Sequence, residues 1–123
     1  MATTTIQIQV STTIDGVSIT VPAAIGTITH AGTGHVEGTL TTSDTAAVIP
    51  QGGLTPKHAY FRNMSAVAGE YIDILNDTAV LTRIDPGMIA AFDIAQVGTP
   101  SSNLKCKAAT GKTPKLQYFI VAV

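Results

Sequence analysis

Few residues in this chain have the type and spacing that chemistry needs. His30 and His35 flank a glycine-rich stretch with Glu37 two residues further on, and His58 follows at a distance. Transition-metal sites use three or four converging ligands with a supporting outer shell, and this set shows no fourth ligand or such shell. The pair therefore reads as loop histidines, with no metal and no cofactor, and His58, beside Tyr60, as structural. Only a cupin-like barrel that brought His30, His35, Glu37 and His58 into one pocket would change that. Gly111-Lys112-Thr113 has the ending of a phosphate-binding loop. That loop needs a glycine five residues earlier, where Cys106 stands, and a helix afterwards, where Pro114 stands. The segment reads as a hairpin turn. Acid–base catalysis would use paired carboxylates, and Asp73 with Asp77 or Asp85 with Asp93 are available. All four fall on strand faces or turns where surface carboxylates are common. No serine lies in a Gly-x-Ser-x-Gly elbow. No catalytic residue is assigned, and the expectation is a protein that is not an enzyme.

The elements around these residues are strands. Ile6, Ile8 and Val10 alternate with Thr5, Gln7 and Gln9, and after Asp15-Gly16 the pattern resumes at Val17, Ile19 and Val21. Period-2 alternation marks half-buried strands, and Asp-Gly marks a turn or a bulge. Pro22-Ala-Ala breaks the run. Glycines around Val36 and Leu40 suggest short strands with tight turns. Pro50-Gln-Gly-Gly is the plainest internal boundary. Beyond it come strands at 58–63, 70–75, 80–84, 88–94, 104–108 and 116–123, with turns at Asn76-Asp77 and Asp85-Pro86-Gly87. Cys106 alternates with Leu104 and Ala108, as a small core residue does. The last strand is apolar on both faces beyond its start, so it lies centrally in a sheet or under a neighbouring subunit. Short strands with regular turns predict an all-β fold, an antiparallel, jelly-roll-like β-sandwich. At 123 residues a single domain is expected. Within it, residues 1–50 form a Thr-rich β arm or first sheet and residues 54–123 the sandwich core.

Charge is distributed unevenly. No lysine or arginine precedes Lys57, and up to that point the formal charges are Asp15, Glu37 and Asp44. Charged residues make up 12% of the chain, about half the share typical of globular proteins. The hydrophobic share is 45%, which excludes the composition of a disordered chain. A soluble domain that omits surface charge over such a length is expected to cover it with other protein. A pI of 6.2 and a loose basic stripe (Lys105, Lys107, Lys112, Lys115) do not suit a nucleic-acid module. The opening MATTTIQIQV lacks the features of a secretory signal. No run reaches the roughly 18 apolar residues of a membrane helix, so synthesis in the cytoplasm and no membrane partner are expected.

From residue 58 onward the chain carries Arg62-Asn63, Tyr71-Ile72-Asp73-Ile74, Asp85-Pro86-Gly87-Met88, Lys105-Cys106-Lys107-Ala108 and Leu116-Gln117-Tyr118-Phe119-Ile120, in that order. In this succession it resembles small structural proteins of tailed-bacteriophage virions. It departs from them at Met64-Ser65-Ala66, where Leu-Asp and a further Asn are usual, and residues before Gly53 lie outside the resemblance. What the resemblance implies is a virion component, a capsid decoration or cement protein or a tail-neck accessory, bound to capsid or tail subunits and to copies of itself. The candidate interface residues are Ile6, Ile8 and Val10 on the opening strand and Phe119, Val121 and Val123 on the last. The alternative is a carbohydrate- or surface-binding β-sandwich. It would require two or three of the rings of Tyr60, Phe61, Tyr71, Tyr118 and Phe119 on one exposed face.

Overall fold

The computed structural model describes residues 2–30, 34–50, 56–93 and 104–122. Among them every regular element is a strand, and pairing is antiparallel throughout. The chain divides into two compact units, Met1–Thr33 and Gly34–Val123.

The first unit is one long hairpin, β1 (Ala2–Ile14) with β2 (Val17–His30). Asp15 and Gly16 connect the strands with φ of 50° and 78°. Positive φ at both central residues is the twist-matched hairpin turn, which Asp-Gly adopts readily. Pro22 does not end the strand as the sequence suggests. The register runs from Ile8 opposite Ala24 to Val10 opposite Val21, so Pro22 and Ala23 together face the single residue Gln9. A bulge is one of the few places where a residue without an N–H fits in a ladder.

The second unit is a sandwich of two four-stranded sheets. One has the order β3 (His35–Thr41), β10 (Lys115–Ala122), β5 (Pro56–Asn63), β8 (Ile89–Asp93). The other has the order β4 (Ala47–Val48), β9 (Leu104–Ala108), β6 (Ile72–Asn76), β7 (Ala79–Ile84). Counted along the unit, the first strand pairs with the eighth, the second with the seventh, the third with the sixth and the fourth with the fifth. That is the jelly-roll order, a long hairpin rolled up so that its two halves lie side by side. Its tip is the tight β6–β7 connection, where Asn76 faces Ala79 and Asp77 takes a φ of 58°.

The unit boundary therefore lies near residue 34, not at Pro50. Residues 35–48 belong to the sandwich because β3 finds its partner in β10 and β4 in β9. The glycine-punctuated stretch also forms one continuous strand. A Cβ at Gly38 would lie 2.7 Å from the Tyr118 hydroxyl oxygen, so the glycine makes room for a ring and does not mark a turn. Between the sheets lie Ile49, Phe61, Ile72, Ile74, Leu116 and Ile120, all at 0% exposure, with Ala59, Ile84, Leu104, Cys106 and Tyr118. The doubly apolar last strand is central, between β3 and β5.

Candidate functional site

The core fixes which residues point outward. On the first sheet, Phe119 lies beside Glu37 on one flank and Tyr60 on the other, and Val121 lies between His35 and His58 in the next row. The His35 ring stacks on Phe119, with centroids 5.5 Å apart and planes at 24°. Phe119 and Tyr60 are half-buried, while Glu37, His35 and Arg62 are exposed. Of the five aromatic candidates, Phe61 and Tyr118 are core residues, and Tyr71 precedes β6 of the opposite sheet. The outer face of the first sheet thus joins Tyr60 and Phe119, with His35 as the third ring.

Val121, assigned above to an interface, is 1% exposed within its own chain and offers no free surface. Ile6, Ile8 and Val10 lie on β1 of the hairpin, opposite Gly26, Ala24 and Val21. Val123 lies outside the described residues. His30 belongs to the hairpin unit, whereas His35, Glu37 and His58 belong to the sandwich. No group of three or more potential metal ligands occurs among the described residues.

The carboxylates are held by cations. Asp73 accepts two hydrogen bonds from Arg83, at 2.7 and 3.0 Å, in the bidentate geometry that suits a guanidinium. The same guanidinium lies 3.7 Å above the Tyr71 ring. The bond to Asp73 raises the Arg83 pKa still further and holds the cation in place. Asp77 pairs with Lys105 at 3.3 Å. Such pairs tie Asp73 and Asp77 to cations on neighbouring strands.

Gly111-Lys112-Thr113 is a turn, but it joins strands of different sheets and so is no hairpin. Gly111 has a φ of 72°, the Lys112 N–H donates to the Ala109 carbonyl at 3.0 Å, and the Gly111 N–H donates to Asp44 Oδ2 at 2.9 Å. A side-chain carboxylate already occupies the position a phosphate oxygen would need.

Asn63 carries more than its place in the sequence suggests. Fully buried, its side-chain amide donates to the carbonyls of Glu70 at 2.7 Å and Ile84 at 3.0 Å, and its Oδ1 accepts from the Ser65 N–H at 3.0 Å. Its backbone N–H donates to Met88 and its carbonyl accepts from Gly87, each at 3.0 Å. The Asn63 side chain therefore ties the end of β5 to the 64–71 connection and to the last residue of β7, while its backbone holds the Asp85-Pro86-Gly87 turn. Ser65 closes that connection with hydrogen bonds to Glu70 and from the Val67 N–H. Around this tie, Met64, Val67, Met88 and Ile89 are 48–59% exposed and form an apolar rim on adjoining segments.

No protein-family model, curated protein or solved structure matches this chain.

Proposed function

We propose that the protein is a non-enzymatic structural component of a tailed-phage virion, a decoration, cement or tail-neck accessory protein. Its partners on this reading are capsid or tail subunits and copies of itself. The observation that carries the proposal is the hairpin unit. It pairs a 13-residue and a 14-residue strand, contains no lysine or arginine, and bears its one carboxylate, Asp15, at the turn. A lone two-stranded ribbon is marginal in water and gains stability when its surface is covered. The jelly roll agrees with this reading, since capsid domains use it, although the same fold also serves lectins and cupins. The apolar rim of Met64, Val67, Met88 and Ile89 adds a second surface suited to protein contact.

The test is co-sedimentation of the purified protein with isolated heads and with isolated tails of the phage that encodes it. Saturable binding to one of them is expected. Contacts poor in charge are little screened, so binding should persist from ~0.05 to ~0.5 M salt. Protein that stays in the supernatant with both particles overturns the proposal.

The grouping of Tyr60, Phe119 and His35 on one face favours a second reading, a surface-binding module in which a sugar ring stacks on Phe119 or Tyr60 beside Glu37 and Arg62. Glycan-array binding that is lost in Phe119→Ala would support it, and an array with no signal would remove it.

A further inference from the structure

We infer that the β1–β2 hairpin is a self-association element, and that its partner is the same hairpin in a second copy of this chain. The register sorts the ribbon into two columns of positions. One column pairs Thr4 with Ile28, Ile6 with Gly26, Ile8 with Ala24, Val10 with Val21, Thr12 with Ile19 and Ile14 with Val17. The other pairs Thr3 with Thr29, Thr5 with Thr27, Gln7 with Ile25, Ser11 with Thr20 and Thr13 with Ser18, so that Ile25 is its one apolar member. The bulge keeps these columns separate. On β2, Ile25 apart, the apolar positions are even-numbered at Ile28 and Ala24 and odd-numbered from Val21 to Val17. The two-against-one step at Pro22-Ala23 and Gln9 falls where that parity changes. A slip of one residue would mix the columns. Sequence and pairing thus specify a mainly apolar column from Ile6 and Ile28 to the turn, interrupted by Thr12. It is backed by one that is hydroxyls and amides except at Ile25, and in which Thr5, Gln7 and Thr13 are exposed.

Charge selects the occupant. A partner that recognised the ribbon through ion pairs would find a single carboxylate at the turn. A second copy meets no like charge along either strand, and the strands lack the lysines that guard sheet edges against self-pairing. Area sets the strength. Thirteen residues at about 3.3 Å each give a ribbon ~43 Å long, and two strands with their margins make it ~10 Å wide. Face-to-face packing would cover ~430 Å² on each copy, so the pair buries ~900 Å², below the roughly 1,200 Å² of stable specific complexes. The dimer should therefore be weak and concentration-dependent, reinforced wherever a larger assembly holds copies together.

Sedimentation velocity of the full-length chain from ~1 to ~500 µM tests this. The mass is expected to move from one chain to two over that range. Val10→Lys places a charge in the apolar column and should weaken association about a hundredfold or more, leaving a monomer throughout. Thr5→Lys and Gln7→Lys, in the other column, should associate as the parent does. Circular dichroism checks that each variant keeps its strands. To separate loss of contact from loss of the hairpin, a spin label at Thr13→Cys in the otherwise unaltered chain should show dipolar coupling between copies. A monomer at every concentration, equal weakening by Thr5→Lys and Val10→Lys, or no coupling overturns the inference. It rests on reading the charge-poor segment as a contact surface. Because no virion enters the experiment, failure to bind heads or tails and failure to self-associate are separate results.

Discussion

Replacing Asn63 tests whether one buried amide holds two connections of the sandwich. In Asn63→Ala the Ile84 carbonyl loses its 3.0 Å donor in a residue only 2% exposed. An orphaned buried polar group costs about 1–3 kcal/mol. The Glu70 carbonyl and the Ser65 N–H also lose their partners, but both residues are half-buried and water can replace part of each bond. The sum is about 3 kcal/mol, a large fraction of the roughly 5–15 kcal/mol that holds a domain together. At this size the melting temperature should fall by about 10 °C. Asn63→Asp keeps the shape but points a carboxylate oxygen at two carbonyls, so at neutral pH it should cost at least as much. Urea and thermal unfolding followed by circular dichroism measure both. If Asn63→Ala loses less than about 1 kcal/mol, or Asn63→Asp matches the parent at pH 7, the tie is not what holds these connections and the reasoning fails.

Gly38→Ala should destabilise by about 1–3 kcal/mol, because the new methyl would meet the buried Tyr118 ring. Adding Tyr118→Phe should recover only part of the loss, since the ring carbon that bore the hydroxyl lies 3.1 Å from the added methyl. Full recovery, or no loss, in paired melting curves would contradict the packing described. Burial pushes the Cys106 thiol up to about 11. At pH 8 that leaves about a hundredfold less thiolate than the ordinary value of 9.0 would, so a thiol reagent should modify the folded chain slowly and the urea-unfolded chain at once. With the folded pKa above the unfolded one, this group's stabilisation is complete below the unfolded value of 9.0 and is lost as pH rises towards 11. The difference between parent and Cys106→Ala should show that slope, and a flat difference would refute it.

The strands were largely legible because their signals are local. Leu104–Ala108 has the same bounds in sequence and structure, and the doubly apolar Leu116–Val123 run correctly indicated a central strand. Three features escaped because local signals conflict with long-range contact. Pro22 reads as a breaker, and only pairing with β1 turns it into a bulge. Gly38 reads as a turn until Tyr118 lies across it. The 109–114 turn looks like a hairpin, but β9 and β10 pair in different sheets. Asn63 escaped as a structural centre because a polar residue at a strand end ordinarily faces water, and the Ile84 carbonyl that it bonds lies 21 residues further along the chain. For candidate sites, residue type identified Gly111-Lys112-Thr113 as a turn, and the structure places a turn there. Residue type placed Val121 at an interface only because alternation cannot tell burial within a chain from burial between chains.

The rolled-up strand order has a consequence for how the molecule is made. Among the described residues the edge strand β3 has β10 as its one sheet neighbour, with Leu40 facing Leu116 and Val36 facing Ile120. On the ribosome, β3 emerges early and must wait for nearly all the rest of the sandwich to be synthesised before its ladder can close. Pairings so distant along the chain make folding slow, and the waiting strands present open edges to other nascent copies. High-yield expression should therefore favour inclusion bodies at 37 °C, and slower synthesis at lower temperature should recover soluble protein.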